Sequence, residues 1–386
     1  MTTALPPLDV DQLVADRRDL HRHPELGYQE TRTAGLVASR LRLLGYDVRT
    51  GVGRTGVVGV RRGAGERCVM VRADMDALPV TEDNDVPYRS QRDGVMHACG
   101  HDGHVAASLG VARRLAAVDL PGIVKFAFQP AEEGGRGAAA MIDDGALDAP
   151  AVGAAFGMHL WSELPTGTIA VAPGPVMASV DTFRITVTGR GGHAAIPHLA
   201  VDPVVVASHL VTALQTLVSR QRNPADPAVV SVTSIHAGTT HNVIPDRATL
   251  EGTVRTFGGP FFDTVPARLG EMARSVAAAF DAEAEVTYER AYPPTVNDAE
   301  MAVLMAEVAA EVVGAEHVRA DYRTMAGEDM AFFLERVPGC YAFVGCRNPA
   351  KGAEHPHHSP RFDIDEDALP LAAELLSRVA LRFLSR

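Results

Sequence analysis

The nine residues from Met96 to His104, MHACGHDGH, hold three histidines, one cysteine and one aspartate. Imidazole and thiolate suit divalent transition metals, and a thiolate is also a nucleophile. So short a fragment cannot hold a metal firmly by itself. Four other segments carry the same donor types. RADMDALP supplies Asp74 and Asp76, QPAEEGG supplies Glu132 and Glu133, GMHL supplies His159, and HPHHSPRFD supplies His355, His357 and His358. Each has a bland reading alone: aspartates that cap a turn, glutamates in a solvated loop, a satisfied polar histidine, a cysteine acting as a small hydrophobe. The bland readings must all hold independently, so the joint pattern favours a binuclear metal centre. Two ions about 3.5–4 Å apart would polarise a carbonyl and acidify a water, and adjacent carboxylates could divide ligand and general-base work. A Cys–His nucleophile would account for Cys99 but leave the acids and other histidines without a task.

The elements that must position these residues read as α/β. Helical patterns run over about 10–21 and 30–44, and buried-strand patterns over 56–60, 68–74, 123–129 and 154–159. DGHVAASLGVARRLAAV reads as a helix with Asp102 as its cap. In open α/β sheets ligands bind beyond the carboxyl ends of strands, which is where Asp74, Asp76, Glu132, Glu133 and His159 fall. From Asp181 the pattern becomes strand (181–188), helix (202–219), strand (228–235), strand (247–256), helix (262–280), strand (284–290). That order, β-α-β-β-α-β, is ferredoxin-like. Pro-rich segments flank it, and an α/β pattern returns afterwards up to a last helix at 366–385. The expected organisation is an α/β/α catalytic domain (1–178 and 293–386) with an inserted domain at 179–292. GVGRTG, residues 51–56, matches a dinucleotide fingerprint in letters, but a strand follows it where a helix is required, so it reads as a hairpin turn.

Composition narrows the classes further. Over 386 residues the net charge is −12 with no long basic run, which argues against nucleic-acid binding. The only lysines are Lys125 and Lys351. No apolar run reaches transmembrane length, acids stand where a signal peptide needs an apolar core, and four cysteines make no disulfide framework. Cys340 and Cys346, flanking a strand-like YAFVG, read as buried thiols, and the expected location is the cytoplasm.

The motifs resemble those of the binuclear metallopeptidase family of aminoacylases, glutamate carboxypeptidases and dipeptidases, and most of all its aminoacylase and hippurate-hydrolase branch. HRHPELGYQE, RADMDALP, MHACGHDGH, QPAEEGG, GMHL, GRGGHAAIPH, HNVIPD, GTVRTF, GEDMAFF and HHSPRFD occur in family order over about residues 21–363. The resemblance implies a zinc-peptidase-like α/β/α catalytic domain with a ferredoxin-like (βαββαβ) lid that also dimerises. It implies two divalent ions (Zn, Mn, Co or Ni) held by Cys99, His101, Glu133, His159 and His358, with Asp76 supporting the ligands from behind. Glu132 is implied as general base and His193 as the oxyanion-stabilising group. Asn242 and Arg255 resemble groups that hold the substrate's carbonyl and carboxylate, and Gly327 falls in a segment that lines the substrate pocket. Asp74 stands where other branches carry a metal-binding histidine, and Gly327 and Met330 where the family more usually has Ser and Phe. The implied reaction is hydrolysis of N-acyl-L-amino acids by a homodimer or higher homo-oligomer, with a metallo-dipeptidase or carboxypeptidase as the alternative.

Overall fold

The computed structural model describes residues 5–386. The chain divides into two compact units. The first runs through Val176 and resumes at Val296–Tyr322 and Asp329–Arg386; the second comprises Met177–Thr295 and Arg323–Glu328.

An eight-stranded sheet organises the first unit. Its leading strands are β1 (Asp47–Val52), β2 (Gly56–Arg61), β3 (Cys68–Asp74), β4 (Ile123–Gln129) and β5 (Ala154–Pro165). In space the order is β1-β2-β4-β3-β5, followed by Gly339–Arg347, Ile169–Ala170 and Val318–Arg319. CVMVRAD and IVKFAFQ are buried at every position, as central strands covered on both faces must be. β3 runs parallel to β4 and β5, and β5 parallel to Gly339–Arg347. GVGRTG lies at the turn of the antiparallel β1–β2 hairpin. The helices of this unit include α1 (Val10–Arg22), α2 (Thr31–Leu43), α3 (His101–Ala116) and α4 (Gly137–Asp143), and the chain closes on the helix Ala368–Leu384. Gly110 lets α1 approach α3 closely, since a Cβ there would lie 2.5 Å from Leu13 Cδ2. Cys340 and Cys346 are buried free thiols.

Two expectations needed correction. The strand expected to stop at His159 continues to Pro165, because Gly339–Arg347 keeps it paired past that point. Asp102 does not cap α3: the cap is Gly100, left-handed at φ 91°, and Asp102 sits inside the first turn. Its carboxylate is taken by Arg17 Nε (2.9 Å) and His21 Nδ1 (2.7 Å) of α1.

The second unit runs β6 (Val180–Thr188), α5 (Pro203–Ser219), β7 (Ala228–Ala237), β8 (Arg247–Thr256), α6 (Gly259–Ala278) and β9 (Glu283–Tyr292). The sheet order β7-β8-β6-β9 is antiparallel throughout and ferredoxin-like. Alternation along β6 and β8 turns Phe183, Ile185, Leu250 and Val254 into a core shared with Leu210 and Leu269 of the two helices.

Candidate metal centre and active site

The donors of the first unit converge at the carboxyl ends of β3 and β4, at His159 within β5, and at the start of α3. β3 releases the chain at Asp74, and Asp76 then turns its carboxylate onto the loop that follows β4. Its Oδ1 accepts from the Glu132 N–H (3.0 Å) and its Oδ2 from the Glu133 N–H (2.9 Å). One carboxylate thereby fixes the backbone of both adjacent glutamates. The Asp76 carbonyl accepts from His101 Nδ1 (2.9 Å), which leaves His101 Nε2 as the nitrogen that a metal could take once its proton is displaced. Gly103 seats the start of α3 against β5: a Cβ there would lie 2.4 Å from Leu160 Cδ1. The His358 N–H donates to the Ala98 carbonyl (2.8 Å), tying the C-terminal histidine segment to the Cys99 loop.

Two ligand groups result, and they share a residue. Cys99, His101 and His159 bring donor atoms within 4.8 Å of one another, and so do Cys99, Glu133 and His358. Glu132 falls in a further group with His101 and Glu133. Cys99 Sγ is 3.5 Å from His159 Nε2, and His358 Nε2 is 3.2 Å from Glu133 Oε1. The arrangement fits a pair of cations. His101 Nε2 is buried without a hydrogen-bond partner. The electrostatics agree. Burial, reinforced by Glu133, Glu132 and Asp74, pushes the Cys99 thiol well up. Burial disfavours a charged His101, yet Asp74, Asp76 and Glu133 raise it to about 10. Burial and the neighbouring His104 and His357 hold His159 well below its usual range, so it stands ready as a neutral ligand. A cluster this rich in carboxylate and thiol would be balanced by a cation at its centre, which would reverse the local preference for protonated donors.

Asp74 also brings a donor atom within 4.8 Å of His101 and His104, but both its oxygens are engaged. Its Oδ2 accepts from Arg72 Nη1 (2.7 Å) and its Oδ1 is 2.5 Å from His104 Nδ1. Arg72 also donates to Asp329 Oδ1 (2.9 Å) and Gln129 Oε1 (2.7 Å), and the Asp329 N–H donates to Glu132 Oε1 (3.3 Å). This buried lattice of Arg72, Gln129 and Asp329 was not singled out in the sequence. GEDMAFF and the polar ends of β3 and β4 were its only signals.

The second unit holds the remaining candidates in two places. His193 pairs with Val243 across a short ladder, and the Ala194 N–H donates to the Asn242 carbonyl (3.1 Å), so His193 and Asn242 are neighbours. His193 Nδ1 accepts from the Ala195 N–H (3.0 Å). Arg255 lies on β8 in a groove of about 670 Å³, lined also by Thr182, Thr253, Thr287 and Glu289. Gly327 packs beside it: a Cβ at 327 would lie 2.0 Å from Val180 Cγ2 and 3.3 Å from Arg255 Nη1.

A ferredoxin-like insertion in an α/β/α domain, with a cysteine common to two ligand groups, defines a metal-dependent hydrolase. The comparisons agree. Residues 70–382 match Peptidase family M20/M25/M40, and the chain belongs to that family. It is 40% identical to thermostable carboxypeptidase 1 of Saccharolobus solfataricus, over 97% of this chain and 95% of that one. It is 40% identical to the N-acetyl-L-cysteine deacetylase of Bacillus subtilis, over 97% of this chain and 88% of that one. The crystal structure of a Bacillus subtilis dinuclear metal-binding peptidase of family M20 superposes with a TM-score of 0.85 at 36% identity, covering 97% of this chain and 98% of that one.

Proposed function

We propose that the protein hydrolyses the amide bond of N-acyl-L-amino acids, releasing a carboxylic acid and a free amino acid. The observation that carries this reading is the pair of donor groups sharing Cys99 beside a carboxylate, Glu132, with a separate role open to it. Cys99, His101, Glu133, His159 and His358 would hold the ions, with Cys99 common to both. Two divalent ions bound there, of Zn, Mn, Co or Ni, would polarise the scissile carbonyl and acidify a water. Glu132 takes the proton of the attacking water and returns it to the leaving amine nitrogen; Asp76 and Asp329 hold its backbone and carboxylate for both transfers. His193 donates to the developing oxyanion, a contribution of about 3 kcal/mol in comparable settings. Asn242 orients the substrate carbonyl. Arg255 receives the free carboxylate through two parallel hydrogen bonds, with Gly327 leaving room beside the guanidinium.

A cytoplasmic homodimer or higher homo-oligomer belongs to the same reading. β7 is an edge strand carrying Ile235 at 50% exposure, an edge suited to pairing with another copy. Net charge of −12 speaks against a nucleic-acid partner, and among the described residues no helix is long and apolar enough to cross a membrane. A relative named as a carboxypeptidase favours a second reading, a metallo-dipeptidase or carboxypeptidase using the same centre.

The test is a panel of N-acetyl-amino acids, N-benzoyl-amino acids and dipeptides on the metal-reconstituted protein, with Glu132→Gln alongside. The proposal expects N-acyl substrates to lead. It expects Glu132→Gln to lose roughly 10²–10⁴ in kcat with metal content unchanged. Dipeptides leading the panel would favour the second reading, and full activity of Glu132→Gln would remove the general-base assignment.

A further inference from the structure

We infer that Asp74 and His104 form a positioning relay that fixes the ring of His159 through the backbone of Leu160. The inference rests on the reading of His159 as a metal ligand.

The path runs atom by atom through the interior. Arg72 Nη1 donates to Asp74 Oδ2 at 2.7 Å, and Asp74 Oδ1 lies 2.5 Å from His104 Nδ1. An ionised carboxylate only accepts, so His104 carries its proton on Nδ1. Its Nε2 then accepts from the Leu160 N–H at 2.9 Å. The carbonyl of the same residue accepts from His159 Nδ1 at 2.8 Å and from His357 Nε2 at 2.9 Å. His159 therefore keeps its lone pair on Nε2, the atom 3.5 Å from Cys99 Sγ. His357 has its Nδ1 left to accept from Ser162 Oγ at 2.9 Å. The backbone N–H and carbonyl of one residue, Leu160, thus set the tautomers of three histidines.

Topology makes the hub available. β3 pairs with β5 only as far as Phe156, so among the described residues this edge of β5 has no strand beside it beyond that point, and the Leu160 groups turn to side chains. Asp74, His104 and Leu160 are all buried, where exchanging one partner for none is costly. Asp74 faces donors at both oxygens, Arg72 and His104. An asparagine there offers one acceptor and one donor, so one contact becomes donor against donor. If the amide nitrogen faces His104, the imidazole must move its proton to Nε2, where it meets the Leu160 N–H. The aspartate at position 74 thus orients His159 from behind through three hydrogen bonds and the backbone of Leu160.

The experiment titrates the metal-depleted full chain with Co²⁺ against a competing chelator, for the wild type, Asp74→Asn, His104→Phe and His104→Gln. Phenylalanine keeps a ring and loses both hydrogen bonds, whereas glutamine retains one donor and one acceptor. Two Co²⁺ ions are expected on the wild type. Asp74→Asn and His104→Phe are expected to weaken one of them by roughly 10–100-fold, with His104→Gln recovering most of the loss. A wild type that binds no Co²⁺ would remove the metal-centre reading itself. Two ions with unchanged affinity in Asp74→Asn and His104→Phe would overturn the relay alone. Equal losses for His104→Phe and His104→Gln would also overturn it, because restoring a donor and an acceptor would then make no difference. Nitrogen-15 NMR of the histidine-labelled wild type needs no variant: a proton on His104 Nδ1 is expected, and a proton on Nε2 overturns the relay whether or not the variants fold.

Discussion

Lys125 is one of two lysines in the chain, and it lies in the middle of a fully buried strand. Its ammonium donates to the carbonyls of Ala146 (3.0 Å), Asp148 (2.7 Å) and Pro150 (2.8 Å). These three belong to the segment that links α4 to β5, so Lys125 closes that loop over the amino-terminal half of β4. Lys125→Met keeps most of the stem and its packing but removes all three donors. Hydrogen bonds to a charged group net about 1.5–3 kcal/mol each. Taking the low end for three, and allowing about 1 kcal/mol for partial relaxation of the loop, the loss comes to about 3.5 kcal/mol. In a unit of this size that corresponds to a fall in Tm of roughly 10 °C. Calorimetry of the metal-depleted protein reads this directly. The proposed metal ligands lie beyond the opposite, carboxyl end of the strand, so kcat of the reconstituted variant measured well below Tm should stay within about twofold. A Tm within about 2 °C of the wild type would refute the argument, because the three carbonyls would then be satisfied without the lysine. A large fall in kcat with Tm unchanged would refute it from the other side.

Trp161 is the sole tryptophan, with its ring centroid 5.1 Å from that of His159 and 4.6 Å from that of His357. Titrating the metal-depleted protein with Co²⁺ should therefore quench tryptophan emission by more than half and saturate at the ligand stoichiometry; unchanged emission would place the ions elsewhere. At Glu374, burial works against the charge, but Arg378 and Arg114, each 2.5 Å away, hold the carboxyl below its usual range. Because the folded value is the lower one, the stabilisation is complete above the unfolded value of about 4.3 and is lost as pH falls through the folded value. Glu374→Gln should cost about 1 kcal/mol at pH 7, read as Tm, and the gap from the wild type should close on acidification below about pH 4. A gap that widens in acid would contradict the sign.

Periodicity made the second unit legible, because alternation along β6 and β8 and the apolar faces of α5 and α6 are local properties of the chain. The candidate ligands were legible for another reason: histidine, cysteine and paired carboxylates at the ends of apolar strands have few other uses. What supports them was not legible. Asp102 looked like a cap because the first turn of a helix favours an acid, but its partners Arg17 and His21 lie 85 and 81 residues away. The end of β5 was missed because only its pairing with Gly339–Arg347, across nearly half the chain, carries the strand past His159. The Leu160 hub is a backbone group, and no side-chain pattern marks it.

Backbone strain shows how closely the site is determined by its surroundings. Among the described residues, the non-glycine residues at positive φ are Tyr28, Arg54, Ala131, Arg136, Ala149, Asp281 and His358. Five of these border or belong to the metal centre. Ala131 and Arg136 bracket Glu132 and Glu133, Tyr28 donates from its hydroxyl to the Gly135 carbonyl (2.6 Å), Arg54 stacks over the Tyr28 ring, and His358 is itself a candidate ligand. A left-handed conformation costs a side-chain-bearing residue about 1–2 kcal/mol, so each must be held from several sides. Ala131 shows how. Its N–H donates to Glu30 Oε1 (2.8 Å), and Glu30 is in turn held by Thr55 at 2.5 Å. Its methyl group sits between two glycines: a Cβ on Gly27 would lie 3.0 Å from it, and one on Gly135 would lie 2.5 Å from it. The glycines of ELGYQE and EEGGRG, more than a hundred residues apart, therefore serve one slot. That slot turns the chain sharply enough for the next two N–H groups, those of Glu132 and Glu133, to meet the two oxygens of Asp76. The direction of the proposed general base and of its neighbouring candidate ligand is thus set by a methyl group, two absent side chains and one carboxylate.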